Sequence, residues 1–180
     1  DGEEQALAYA RADFDAVDAS FVDAVFERFP QLRNAHIVDL GCGPGAIPIR
    51  FCQVAQEIEV TAIDGAPAMI DLAVAAVAEA GLSERITCVC QNLPGEALLT
   101  WSYDGLVSNS LLHHLHDPQV LWTEVKRQLR PGAPVVIMDL MRPADEAAAQ
   151  TLVTTYSGDE PEILRTDFFN SLLAAFTPAE

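Results

Sequence analysis

Eight residues constrain this chain more than any others: Val38-Asp39-Leu40-Gly41-Cys42-Gly43-Pro44-Gly45. A short apolar run, Ile37 to Leu40, leads into three glycines at alternate positions, and an apolar, helix-compatible segment follows. A buried strand that turns sharply into a helix has this pattern. Glycine removes the Cβ that would keep a ligand off the backbone, and it permits φ > 0. The free N–H groups of such a turn lie at a helix N-terminus and face whatever binds there. The loop predicts a site for an adenosine-containing cofactor.

The rest of the chain alternates between strand and helix patterns. From Phe14, the apolar residues Val17, Phe21, Val22, Val25, Phe26 and Phe29 recur at three and four, the spacing of an amphipathic helix that Pro30 ends. Strands are predicted at His36–Leu40, Glu57–Ile63 (running into Asp64), Ile86–Cys90, Asp104–Ser108 and Pro134–Leu140. Helices are predicted at Ala46–Ala55, Pro67–Ala80 and from Asp117-Pro118 to Leu129, with Asp117 as N-cap and Pro118 at N1. Such alternation gives an α/β fold with a Rossmann-like, doubly wound, mostly parallel sheet. Ligands bind beyond the carboxyl ends of the strands in such sheets. The glycine loop, Asp64, Asn92, Asn109 and Asp139 all follow strand ends and should gather on one edge.

Three regions follow: an N-terminal helical cap over 1–35, a cofactor-binding core over 36–140 and a helical segment over 141–180 on the substrate side. Within the last, helices are predicted at Ala144–Tyr156 and Glu162–Phe176. The final residues, Thr177-Pro178-Ala179-Glu180, read as the capping box of a further helix. They predict a C-terminally shortened version of a longer sequence.

Composition narrows the partners. The 180 residues carry 27 acids against 10 bases, a formal net charge of −17. Such a chain repels phosphate backbones and anionic membrane surfaces, so nucleic acid and membrane are not expected partners. No apolar run approaches the ~18 residues of a spanning helix. Cys42, Cys52, Cys88 and Cys90 have neither zinc nor disulfide-framework spacing, which predicts reduced core thiols and a cytosolic setting.

Asp64 lies about 20 residues past the loop, where an acid commonly accepts hydrogen bonds from ribose hydroxyls. Gly41-x-Gly43-x-x-Ala46 also fits the G-x-G-x-x-G/A form of NAD sites, so an NAD-linked oxidoreductase is one reading. Asp39 within the strand end, the third glycine at 45 and the later motifs separate the readings. With Thr61-Ala62-Ile63-Asp64, Tyr103-Asp104-Gly105-Leu106-Val107, Leu112-His113-His114-Leu115-His116-Asp117-Pro118, Leu129-Arg130-Pro131-Gly132 and Asp139, the chain resembles the class I S-adenosylmethionine-dependent methyltransferases, particularly small-molecule members, over Ile37 to Leu140.

The resemblance implies S-adenosyl-L-methionine as cofactor, S-adenosyl-L-homocysteine as product and in-line methyl transfer to a small-molecule acceptor. It implies that Gly41, Cys42, Gly43 and Gly45 line the cofactor, that Asp39 receives its ammonium and that Asp64 holds both ribose hydroxyls. Ala66 and Met69 would flank the adenine, with Gly65 and Leu93 nearby. Asn92 stands where the family usually has Asp, and an amide oxygen still accepts the adenine amino group without charge assistance. Asn109 and Ser110 would sit beside the methionine moiety, and Tyr9 in a segment closing over the cofactor. The family normally finishes with a helix and an antiparallel strand pair, which this chain is expected to lack. A non-catalytic cofactor-binding module is therefore the alternative reading.

His114 and His113 are the catalytic candidates, because imidazole near its pKa can take a proton from an oxygen or nitrogen nucleophile. No metal is expected, since His113, His114 and His116 have no completing Cys or acid cluster. Arg142 or Arg165 offers a pairing partner for a substrate carboxylate.

Overall fold

A computed structural model describes residues 15–95 and 102–180. Five strands form one parallel sheet: β1 (His36–Leu40), β2 (Glu59–Asp64), β3 (Ile86–Cys90), β4 (Gly105–Asn109) and β5 (Val135–Met138), in the order β3-β2-β1-β4-β5. The chain winds outward from β1 to β3, then crosses to β4 on the other side of β1. The switch point therefore lies between β1 and β4, just past the glycine loop.

Side chains alternate across β1, so Ile37 and Val38 enter different cores. The first core receives Phe21, Val22, Val25 and Phe26 of α1 (Asp15–Arg28), Ile47 and Phe51 of α2 (Ala46–Val54), and Ile70 and Val77 of α3 (Pro67–Glu79). Phe26 and Phe51 meet edge to face at 5.3 Å. The second core holds Val38, Leu40, Ile63, Leu106 and Tyr103 against Leu121 of α4 (Gln119–Gln128) and Leu129. Helices thus cover both faces, as a buried parallel sheet requires.

Boundaries shift where side chains capture backbone groups. Asp104 Oδ2 accepts the His36 amide at 3.0 Å, and β4 runs from Gly105. Asp139 Oδ1 accepts the Leu140 amide at 2.8 Å, and β5 stops at Met138. Helix α4 begins at Gln119 rather than Pro118: Asp117 Oδ1 accepts the Gln119 amide at 2.9 Å, and Pro118 occupies the capping position. The core-thiol expectation holds for Cys42 and Cys52, which are buried, but not for Cys90, which is exposed on edge strand β3.

Beyond β5, Asp145 caps α5 (Glu146–Ser157) by accepting the Ala148 amide at 2.8 Å. It is followed by α6 (Glu162–Ala174). The two helices share a small apolar cluster of Ala149, Val153 and Leu172 with Leu140 and Phe168. Helix α6 also packs on the 3-10 turn Leu112–His114, at the carboxyl edge of the sheet. At the end of the chain, Glu180 Oε2 accepts from Thr177 N at 3.0 Å and from Thr177 Oγ1 at 2.9 Å, and it pairs with Arg142. No helix among the described residues is long and apolar enough to cross a membrane, and these residues include no antiparallel strand.

Candidate functional site

The three glycines do different work. The amides of Gly41 and Cys42 both donate to Ile63 O, at 2.8 and 3.0 Å, tying the end of β1 to that of β2. Gly41, Gly43 and Gly45 have φ of 78, 52 and 91°, all in the left-handed region. A Cβ on Gly41 would lie 2.8 Å from Leu111 Cβ, and one on Gly45 would lie 3.2 Å from Ala73 Cβ. Those two glycines let protein pack against the loop. A Cβ on Gly43 meets nothing within 4 Å, so there the bare backbone faces open space. Gly41→Ala combines an unfavourable φ with overpacking against Leu111, a destabilisation of about 2–4 kcal/mol. Thermal denaturation should show it as a fall in Tm, whereas Gly43→Ala should fall less. The Cys42 side chain packs in the first core, and burial pushes its thiol pKa up, so only its backbone is available to a ligand.

Asp64 holds the loop and the next turn together. Its Oδ2 accepts the Gly43 amide at 2.9 Å and its Oδ1 the Ala66 amide at 2.8 Å. Each oxygen keeps a further lone pair for a hydroxyl. Asn92 closes over Gly65, where a Cβ would lie 2.6 Å from Asn92 Oδ1. Met69 is buried near the start of α3, and Leu93 packs against the second core.

Asp39 is the anomaly of the site. It is 1 % exposed, and among the described residues neither carboxylate oxygen has a hydrogen-bond partner. Burial first, then the nearby charges of Asp64 and Asp18, push its pKa up to about 8. A buried carboxylate without a donor is costly, so the position is suited to a ligand that brings a cation. Asp18 was not anticipated as part of this group. Burial raises its own pKa to about 6. Its signal is an acid three residues before Phe21 and four before Val22, on the buried stripe of an amphipathic helix.

Across the switch point, Ser108 Oγ donates to Leu40 O at 2.8 Å, locking β4 to β1. Ser110 has φ 58°, a strained value for a non-glycine residue. Its amide donates to Met138 O at 2.9 Å, and its Oγ lies 3.4 Å from Asn109 Oδ1. This turn carries Leu111 onto Gly41.

The two candidate histidines differ. His113 is buried, with Nδ1 2.6 Å from Asp139 Oδ1. Asp139 Oδ2 also accepts the Leu112 amide at 2.6 Å, so one carboxylate anchors the whole 3-10 turn. That Asp139 does this was not legible in its place at the end of β5. The His114 ring lies 4.1 Å from that of His113 and remains exposed. Partial burial and His113 lower its pKa, against the opposing pull of Asp167, Asp139 and Asp64.

The carboxyl edge thus brings together Asp39, Gly41, Gly43, Gly45, Asp64, Gly65, Asn92, Asn109, Ser110, His113 and His114. Tyr9 lies outside the described residues. Arg142 is paired with Glu180, so the structure does not offer it as a free partner for a substrate carboxylate. Among the described residues, no group of three His, Cys, Asp or Glu side chains is placed to hold a metal.

A parallel sheet with a glycine loop and an acid at the next strand end defines a Rossmann-like nucleoside-cofactor protein. The family model described as "Methyltransferase domain" matches residues 37–132, more than half of the chain, and the chain belongs to that family. It is 27% identical over 114 residues to the O-methyltransferase rstn1 of Aspergillus nomiae, covering 63% of this chain and 50% of that protein. It is 31% identical over 113 residues to the ubiquinone biosynthesis O-methyltransferase of Xanthomonas oryzae pv. oryzae, covering 62% and 45%. The chain therefore spans about half the length of these relatives. A S-adenosylmethionine-dependent methyltransferase from Aquifex aeolicus shares its fold, with a TM-score of 0.67 at 20% identity over 78% of this chain and 75% of that one.

Proposed function

We propose that this chain is the cofactor-binding and catalytic core of a S-adenosylmethionine-dependent methyltransferase that acts on a small-molecule acceptor by in-line transfer. The observation that carries this reading is Asp39: a buried carboxylate without a donor among the described residues, next to a loop whose middle glycine is bare. The cofactor's methionine ammonium is the cation this position lacks. NAD has no ammonium to offer it.

In this reading Asp39 pairs with the ammonium, and the backbone around Gly43 follows the amino-acid and adenosyl groups. Asp64 adds ribose hydroxyls to the two amides it already holds, and Asn92 accepts the adenine amino group. Asn109 and Ser110 border the methionine side. The cofactor supplies a sulfonium methyl that is already a strong electrophile. The protein's contribution is alignment and exclusion of water, and orientation alone is worth ~7–11 kcal/mol in favourable cases. His114 is the general base: its lowered pKa keeps it neutral near pH 7, ready to take the acceptor's proton. His113 is held by Asp139 and shapes the floor beneath it. Helices α5 and α6 form the acceptor side.

The test is transfer of labelled methyl from S-adenosylmethionine into a small-molecule metabolite extract. Incorporation by the unaltered chain is expected. His114→Ala should lower the initial rate by ~100-fold or more while S-adenosylhomocysteine binds as before. Cofactor binding without any incorporation would instead favour the non-catalytic module.

A further inference from the structure

Helix α4 carries a carboxylate that the site described so far does not use. Glu124 is fully buried, although Trp122 and Thr123 beside it are exposed. Its Oε1 accepts the buried amide of Gly95 at 3.1 Å. Its Oε2 accepts from Arg127 at 2.5 Å and from Gln128 Nε2 at 2.6 Å. Gln128 is itself fully buried, and its main-chain oxygen accepts the amides of Ser102 and Tyr103 at 2.9 and 3.3 Å. The last turn of α4 therefore grips the β3–β4 connection at two points, Gly95 and Ser102–Tyr103.

The first of these points lies close to the site. Gln91 N donates to Asp64 O at 2.8 Å, Asn92 lies over Gly65, and Leu93 enters the second core. Gly95 follows two residues later. Between Asp64 on one side and Glu124 on the other, the backbone carrying Asn92 and Leu93 is held at both ends. A carboxylate suits the second anchor because it accepts from three donors and brings none of its own. Glutamine would still accept from Gly95, but would turn an N–H₂ group toward Arg127.

We propose that Glu124 is a positioning residue for the adenine side of the cofactor site, acting from α4 through the Gly95 amide on Asn92 and Leu93. This rests on the cofactor reading above. Its action is confined to one half of the ligand, and that distinguishes it from Asp39, which serves the amino-acid half.

Two ligands separate the halves: S-adenosylhomocysteine, and 5′-methylthioadenosine, which lacks the amino-acid group. Both are titrated calorimetrically into the unaltered chain, Glu124→Gln, Glu124→Met and Asp39→Asn. Glu124→Met is expected to weaken both ligands at least tenfold and by equal factors. Glu124→Gln, which keeps the acceptor for Gly95, should restore both to within about threefold of the unaltered chain. Asp39→Asn should weaken only S-adenosylhomocysteine. A folded Glu124→Met that binds both ligands as the unaltered chain does overturns the proposal and leaves the cofactor reading intact. Binding of neither ligand by the unaltered chain overturns both. Should Glu124→Met not fold, amide exchange in the unaltered, ligand-free chain decides. Strong protection of Gly95 is expected, and exchange at the rate of an open loop overturns the anchor.

Discussion

Replacing Asp39 by Asn should weaken S-adenosylhomocysteine binding by two to three orders of magnitude while raising the Tm of the ligand-free protein at pH 8. The two effects have one cause. The carboxylate is buried and has no donor among the described residues, so its charge is costly until a cation arrives. Removing one partner of a buried ion pair typically costs ~3–5 kcal/mol, and each ~1.4 kcal/mol is a tenfold change in affinity. Stability responds with the opposite sign. The folded pKa of Asp39 is raised from 3.8 to about 8, so the native state holds a proton that the unfolded chain has released. Stability contributed by this group is full below pH 3.8, falls as pH climbs, and levels off above about pH 8. Asp18, raised from 3.8 to about 6 by burial, adds to the loss over a narrower window. The Tm advantage of Asp39→Asn should therefore grow between pH 4 and pH 8 by ~5 kcal/mol, or ~10–20 °C. Thermal melts at pH 5 and pH 8 check this.

Asp64→Ala should lose binding to a similar extent, with stability moving the other way. Asp64 is already at work without a ligand, accepting the Gly43 and Ala66 amides at 2.9 and 2.8 Å. Hydrogen bonds to a charged group contribute ~1.5–3 kcal/mol each when buried. This carboxylate is only partly buried, so the pair together is worth about 2 kcal/mol, or a fall in Tm of ~4–8 °C. In the proposed site the ribose hydroxyls would lose their acceptor, and the glycine loop loses its tether. A loss of ~100-fold or more in S-adenosylhomocysteine affinity is expected by titration. Asp39 and Asp64 lie on neighbouring strands, 25 positions apart in sequence. Their variants should agree in binding and disagree in Tm.

The strand and helix alternation of the fold was legible in the sequence because the motifs sit where the sheet must turn. Gly41, Gly43 and Gly45 mark one turn, Asp64 another, and all five strands were found within two residues of their ends. Tertiary capture of backbone groups was less legible. Asp104, Asp117 and Asp139 each take an amide beside an element boundary, and a side chain's choice of donor is not written in local pattern. The place of a candidate residue was legible where a strand end fixes it, as it does for Asp39 and Asp64. It was not legible where a residue acts across the fold. Asp18 reaches the site from α1, Asp139 anchors His113 from just beyond β5, and Glu124 reaches Gly95 from α4, over sequence separations that no periodicity reports.

If Asp39 receives the cofactor's ammonium, binding must be linked to a proton. Calorimetric titration of S-adenosylhomocysteine is run from pH 6 to pH 8, at each pH in two buffers of different ionisation enthalpy. Pairing with an ammonium ionises a carboxyl whose pKa in the free protein is about 8. Affinity should therefore rise with pH by up to about tenfold per unit, with release of about one proton per ligand at pH 7. 5′-Methylthioadenosine should show neither effect. Affinity for S-adenosylhomocysteine that is flat across this range, with no proton released, would mean that Asp39 does not pair with the ammonium.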